Sequence, residues 1–222
     1  MIAPSDWELS MPFPEGQRRL LFPDFGMSWN FMVWWTRIQK TTGDTLHVLD
    51  VGGCVGAFTL SLIGKGIVAE FDIFEPSSAA LPYLYHNTEG LEGITIHELG
   101  ASSSSKTARL YSDKGDIGRY NLYSGETYED VQLVRLDDVI DGPVDVIKMD
   151  VEGHELEVLR GANRILGQHH PRLILEAKEH HMERAGYVSD DILEELGQLG
   201  YRVISKMSLG SDYTFDYGGE EQ

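Results

Sequence analysis

From Leu46 onward the chain alternates short apolar runs with amphipathic stretches, and this alternation constrains the fold more than any other feature. Parallel strands need long crossovers between them, so the pattern predicts βαβ units around a mostly parallel sheet. The apolar runs place strands at Leu46–Val51, Val68–Phe74, Ile94–Leu99, Val144–Met149, Leu173–Ala177, Arg202–Lys206 and Tyr213–Tyr217. Between the last two stand only Met207 to Asp212, too few for a helical crossover, which predicts a hairpin and an antiparallel strand. The expected fold is α/β, a Rossmann-like doubly wound sheet of seven mostly parallel strands with a C-terminal antiparallel hairpin.

Leu156, Leu159, Ala162 and Ile165 recur at helical spacing and predict one helix over Glu155–Leu166, stopped by Gly167. A second is predicted over Asp190–Leu199, with Ser189 as its cap and Gly200 as its terminator. A chain of 222 residues fits one domain, expected over residues 45–222. Residues 1–44 read as a helical extension packing on it: prolines break the early part, and a helix from Ser28 to about Lys40 carries Trp29, Trp34 and Trp35. A cofactor lid or a homodimer contact is the secondary reading of that tryptophan-rich helix. Residues 102–135 are polar and read as a β-like excursion or loop, of the kind that walls a substrate site.

Asp and Glu number 36 against 18 Lys and Arg, a net charge of -18, which argues against a nucleic-acid or anionic-membrane partner. Cys54 is the only cysteine, so no intrachain disulfide forms. The apolar run Phe31–Trp35 is far shorter than the ~20 residues a membrane span needs. With no signal-like N-terminus, the expectation is a cytoplasmic protein acting on a small molecule.

The strongest local signal is Val48-Leu49-Asp50-Val51-Gly52-Gly53-Cys54-Val55-Gly56-Ala57-Phe58-Thr59-Leu60, a strand ending in an acid, then glycines leading into a helix. Glycines let a ligand approach the backbone and leave N–H groups facing it, which points to a nucleotide-like cofactor. Gly52, Gly53 and Gly56 depart from the Gly-x-Gly-x-x-Gly spacing that seats a pyrophosphate. Asp50 would repel a pyrophosphate but suits a cation such as the methionine end of S-adenosyl-L-methionine. The next strand delivers Glu75, where dinucleotide folds hold ribose hydroxyls with a carboxylate. Small residues at Gly100-Ala101 leave room for a flat ring, so Ala101 is expected beside the adenine. Asn87 is expected to be a helix C-cap.

A third run, Asp145-Val146-Ile147-Lys148-Met149-Asp150-Val151-Glu152-Gly153-His154-Glu155, brings Asp150, Glu152 and His154 to the carboxyl edge of the sheet. Methyl transfer to a hydroxyl needs alignment and a base. His154 titrates near neutrality and the crowded carboxyls of Asp150 and Glu152 raise one another, so all three are candidate bases and the sequence does not separate them. His180 and His181, with Asp150 and Glu176, invite a divalent-metal reading; a solvated polar loop is preferred, and no metal is expected.

Asp50-Val51-Gly52 with Gly56 and Thr59, Phe74-Glu75-Pro76, and Ile147-Lys148-Met149-Asp150-Val151-Glu152-Gly153 with Glu155 resemble the FkbM family of methyltransferases, over about residues 46 to 178. The resemblance implies the class I methyltransferase fold, S-adenosyl-L-methionine as cofactor, and O-methylation of a small molecule, sugar or natural product. It puts Asp50, Gly52, Gly53 and Gly56 at the methionine end, Glu75 at the ribose, and Asp150 with Glu152 where cofactor and acceptor meet. Cys54, where the family loop usually has a polar residue, and Pro82, in the helix after Glu75, depart from the pattern. The alternatives are an inactive cofactor-binding accessory protein and an NAD-dependent oxidoreductase; the glycine spacing and Asp50 count against the latter.

Overall fold

The computed structural model describes residues 45–64, 66–112, 120–206 and 212–218. The expected N-terminal extension, residues 1–44, and residues 207–211 of the expected hairpin lie outside these. Along the chain, β1 (Leu46–Val51) leads through α1 (Ala57–Gly64) to β2 (Ala69–Phe74), and α2 (Leu81–Thr88) connects β2 to β3 (Ile94–His97). An excursion follows, made of β4 (Gly100–Ala101), β5 (Lys106–Ser112) and β6 (Thr127–Val134) and closed by the single turn α3 (Leu136–Val139). β7 (Val146–Met149), α4 (Glu155–Gly161), α5 (Asn163–His169) and β8 (Arg172–Glu176) resume the alternation. α6 (Glu179–Ala185), α7 (Ser189–Gln198), β9 (Tyr201–Lys206) and β10 (Asp212–Tyr217) complete it.

The main sheet has the order β3-β2-β1-β7-β8-β10-β9. β3, β2, β1, β7 and β8 run parallel, while β10 runs against both β8 and β9. The expected antiparallel strand is therefore one place in from the edge, and β9 takes the edge. The strand order reverses between β1 and β7, and the carboxyl ends of strands at such a reversal form the crevice where open α/β sheets bind ligands. The glycine loop after β1 and the acids after β7 thus stand side by side.

Both faces of the sheet are covered, which is why β1 and β7 read as near-continuous apolar runs. On one face Leu49, Val51, Ile147 and Met149 pack with Leu156, Leu159 and Ile165 of α4 and α5. On the other, Val48, Phe71 and Ile73 pack with Phe58, Leu62 and Leu84 of α1 and α2. No helix among the described residues is long and apolar enough to cross a membrane.

Two sequence expectations need correction. The single helix over Glu155–Leu166 is two helices, because the chain leaves helical geometry at Ala162 (φ −112°, ψ 19°). The break lets Asp137 of α3 cap α5: its carboxylate accepts the Arg164 N–H at 2.9 Å and the Ile165 N–H at 3.1 Å. Ser189 does not cap α7; it is the first helical residue, and Asp191 accepts the Val188 N–H at 2.8 Å. The excursion is a three-stranded sheet, β4-β6-β5, whose inner face carries Leu110, Val131 and Leu133.

The helix break makes Gly161 and Gly167 a matched pair for mutation. A Cβ on Gly161 would lie 2.0 Å from the Ser102 carbonyl oxygen, whereas one on Gly167 meets nothing within 4 Å. Gly161→Ala is expected to lower stability by about 1–3 kcal/mol, and Gly167→Ala to raise it by roughly 0.5–1 kcal/mol. Urea unfolding midpoints of the two variants check both signs. In the same assay Asp137→Ala, which strips two amides of their acceptor, should lose about 1–2 kcal/mol.

Candidate active site

Asp50 on β1 and Lys148 on β7 are register neighbours. The Lys148 ammonium lies 3.1 Å from Asp50 Oδ1 and donates to the Gly52 carbonyl at 2.9 Å, while the Thr59 hydroxyl donates to Asp50 Oδ2 at 2.9 Å. Asp50 is fully buried and Lys148 nearly so. Burial opposes the charge on Lys148, but Asp50 and Asp150 outweigh it and raise its pKa, so the ammonium persists. Asp50 is not among the cavity-lining residues. Its carboxylate is engaged by Lys148 and Thr59, which replaces the expectation that it faces a ligand cation.

The loop amides are also engaged. The Gly52 and Gly53 N–H groups donate to the Phe74 carbonyl, the Cys54 N–H to Glu75 Oε2 at 2.7 Å, and the Gly56 N–H to the Gly53 carbonyl. The donors expected to face a ligand therefore hold the loop itself at these four positions. Gly52 has φ +76°, and a Cβ on it would come within 2.0 Å of the Asp150 carbonyl oxygen, so only glycine lets the two loops meet. Gly53 and Gly56 sit behind the loop, against Ile73 and Leu84. Asn87 is no C-cap: its amide donates to the Val55 carbonyl at 2.9 Å and ties α2 to the loop.

The two loops open onto a cleft of about 670 Å³, partly continuous with solvent. Gly52, Cys54 and Glu75 form one side; Ala101, Leu110, Leu122 and Leu133 form an apolar end; Asp150 and Glu152 form an acidic end. Glu75 is buried, and its second oxygen accepts the Ser77 N–H at 2.8 Å. Burial pushes its carboxyl up to about 7. Burial, then the Glu75 charge, pushes the Cys54 thiol up to about 12, so it stays protonated.

At the acidic end Asp150, Glu152 and Glu176 each bring an oxygen within 4.8 Å of the others. Lys178 contacts Glu176 at 2.9 Å, and His181 Nδ1 lies 2.7 Å from Glu152 Oε2. Burial, opposed by Lys148 and reinforced by Glu176, holds the Asp150 carboxyl up at about 6. Burial and the Asp150 charge hold Glu152 up at about 7. Glu152 adopts φ +54°, a left-handed backbone unusual for a side chain of its size. Glu155 braces this turn, accepting the Gly153 N–H at 3.2 Å while Tyr187 donates to its other oxygen at 2.8 Å.

All three candidate bases line the cleft; Asp150 and Glu152 share the acidic end, while His154 has both ring nitrogens engaged. Its Nδ1 pairs with the Tyr123 hydroxyl at 2.8 Å and its Nε2 with the Ser102 hydroxyl at 3.0 Å. Burial pushes its pKa down to about 4. His154 fastens the excursion to the β7 loop as a neutral ring. His181, expected in a solvated loop, is buried in α6. Sequence reasoning gave no role to Lys148 or Tyr123, quoted Glu155 only as part of the motif, and weighed His181 only as a metal ligand; a lysine inside the apolar run of β7 was the signal for the first.

Residues 50–203 match the family model described as the methyltransferase FkbM domain. "Methyltransferase sdnD" of Sordaria araneosa is 28% identical over 155 residues, covering 52% of this chain and 60% of that protein. "Methyltransferase 1" of Beauveria bassiana is 28% identical over 146 residues, covering 53% of this chain and 59% of that protein. The chain thus spans about 60% of the length of these curated relatives. Among solved structures, the FkbM methyltransferase of Methylobacillus flagellatus superposes with a TM-score of 0.55 at 22% identity, over 78% of this chain and 44% of that one. Monomeric WbdD gives 0.54 at 17% identity, over 85% of this chain and 40% of that one. Both share its fold. With the family model spanning the glycine loop, Glu75 and the acidic turn in one match, the chain belongs to the FkbM methyltransferase family.

Proposed function

We propose that the protein is an S-adenosyl-L-methionine-dependent methyltransferase acting on a hydroxyl of a small molecule. The observation that carries this reading is the polarity of the cleft. The charged groups of its polar wall are the carboxylates of Glu75, Asp150 and Glu152, beside the uncharged Tyr120 and Asn121 and the engaged His154, while the amides of Gly52, Gly53, Cys54 and Gly56 are engaged within the protein. Such a wall accepts hydrogen bonds and favours positive charge. A pyrophosphate is an anionic acceptor and would meet repulsion without those donors, which counts against a nicotinamide dinucleotide. S-adenosyl-L-methionine carries ribose hydroxyl donors, an ammonium and a sulfonium.

In this reading Glu75 holds the ribose hydroxyls through its remaining lone pairs. Ala101, Leu110, Leu122 and Leu133 seat the adenine, and Gly52 with Asp150 lines the methionine end. When bound, the cofactor would supply an electrophilic methyl carbon for the acceptor oxygen, with its sulfur as the leaving atom. The residues here align the acceptor, keep water out and remove its proton. The net charge of -18 and the acidic end of the cleft favour a neutral or cationic acceptor over a polyanion.

Calorimetric titration with S-adenosyl-L-methionine, beside NAD as control, tests the cofactor. Binding to the first alone is expected, and Glu75→Ala should weaken it at least tenfold, about 1.4 kcal/mol. Preference for NAD would overturn the reading. The loop's support is tested separately: Lys148→Met leaves the Asp50 carboxylate buried and uncompensated and should cost about 3–5 kcal/mol in urea unfolding. Adding Asp50→Asn to that variant is expected to recover most of the loss.

A further inference from the structure

The turn that carries Glu152 is more constrained than holding a ligand requires. A left-handed backbone at a glutamate is strained and persists only where the surroundings impose it. Here Glu155 and Tyr187 impose it from α4 and the segment before α7. The result is a carboxyl that lines the cleft while its Oε2 reaches back to His181 in α6. Its side chain is 13% exposed and that of His181 11%, so the contact is largely shielded from water. Two more carboxyls, Asp150 and Glu176, crowd the same point, and Lys178 directly contacts only Glu176. With their oxygens within 4.8 Å of each other and the contact largely shielded, Asp150 and Glu152 resist ionising together.

We propose that Glu152 accepts the proton of the acceptor hydroxyl, that His181 is its positioning residue, and that a cation arriving in the cleft drives the shared proton out of the Asp150–Glu152 cluster. The inference rests on the cofactor reading above. A sulfonium charge in the cleft stabilises the ionised carboxyls, so a proton leaves for solvent as the donor binds. Glu152 is then free to take the hydroxyl proton while the acceptor oxygen gains the methyl carbon. Sulfur is neutral after transfer, so the cluster keeps the proton it received. One proton leaves on binding and one enters from the acceptor, which returns the cluster to its starting state.

The charges around the cluster set the balance. Lys148 of β7, with Asp50 of β1 beneath it, and Lys178 before α6 favour ionisation. Glu155 of α4 and Glu176 of β8 oppose it. His180, Lys178 and Arg184 add to burial in holding His181 down at about 4, so its ring is neutral near pH 7. A neutral ring serves both states of Glu152: Nδ1 accepts from the carboxylic acid and, with the ring proton moved, donates to the carboxylate.

The test needs no acceptor. S-adenosyl-L-methionine and the uncharged-sulfur product S-adenosylhomocysteine are titrated into the full chain in buffers of different ionisation enthalpy, near pH 6.5 and again near pH 8.5. At the lower pH the methyl donor is expected to release on the order of half a proton more than the product, the difference vanishing at the higher pH. Glu152→Gln should still bind the donor and lose that difference. His181→Phe should move the release to higher pH and His181→Asn, which keeps an N–H donor, should restore it; a merely structural histidine would leave the midpoint alone. Imidazole nitrogen NMR should show the His181 ring proton shift to Nδ1 when the donor binds. Equal proton release by the two ligands, or undiminished release in Glu152→Gln, overturns the proposal while the cofactor reading stands. Failure of both ligands to bind overturns the two together.

Discussion

A buried ammonium organises this site. Lys148 spans the junction of β1 and β7, touching the Asp50 carboxylate on one strand and the Gly52 carbonyl of the loop that follows it. Burying two charges has a desolvation cost that their attraction only repays with good geometry and further hydrogen bonds, and Thr59 supplies one of those. An apolar pair in the same volume would be no less stable, but it would not fix where the loop carbonyl sits. What the ion pair contributes is position: the glycine loop and the acidic turn are held against each other at the reversal of the sheet, and the cleft is the space left between their tips.

Around that anchor the protein sorts its hydrogen-bonding groups by direction. Donors turn inward, from the loop amides to Phe74, Glu75 and Gly53, while carboxylates turn toward the cleft. Burial, with neighbouring carboxyls adding to it, disfavours charge on Glu75, Asp150 and Glu152 and pushes all three upward, so an empty site holds its carboxylates at a cost. A ligand of opposite sign relieves this, and its binding gains from stress already present in the free protein.

The seven strands of the main sheet were legible to within two residues at each end, most plainly β1 and β7, where burial on both faces leaves an apolar run, whereas β4, β5 and β6 were read only as an excursion. The glycine loop, Glu75 and the Asp150–Glu152 turn were legible because local backbone demands confine residue types there. Contacts between distant segments were not. Asp50 reads as a ligand for a cation, and it is one, but its cation is Lys148, 98 positions away. His154 reads as a base until Tyr123 and Ser102 claim its nitrogens. The periodicity of Glu155–Leu166 runs unbroken through Ala162, since the interruption comes from the Ser102 backbone against Gly161 and a cap donated by Asp137. Seven residues of α6 are too few for periodicity to show which side of His181 is covered.

The placement of β10 between β8 and β9 bears on how the chain assembles. β8 presents a bare row of amides and carbonyls until β10 reaches it, and β10 is the last strand among the described residues. While a ribosome is still making that segment, the five parallel strands have a raw flank that another chain could zip onto. The hairpin of β9 and β10 closes it, so the sheet is complete only once β10 is in place, and the flank of β8 stays open to aggregation until then.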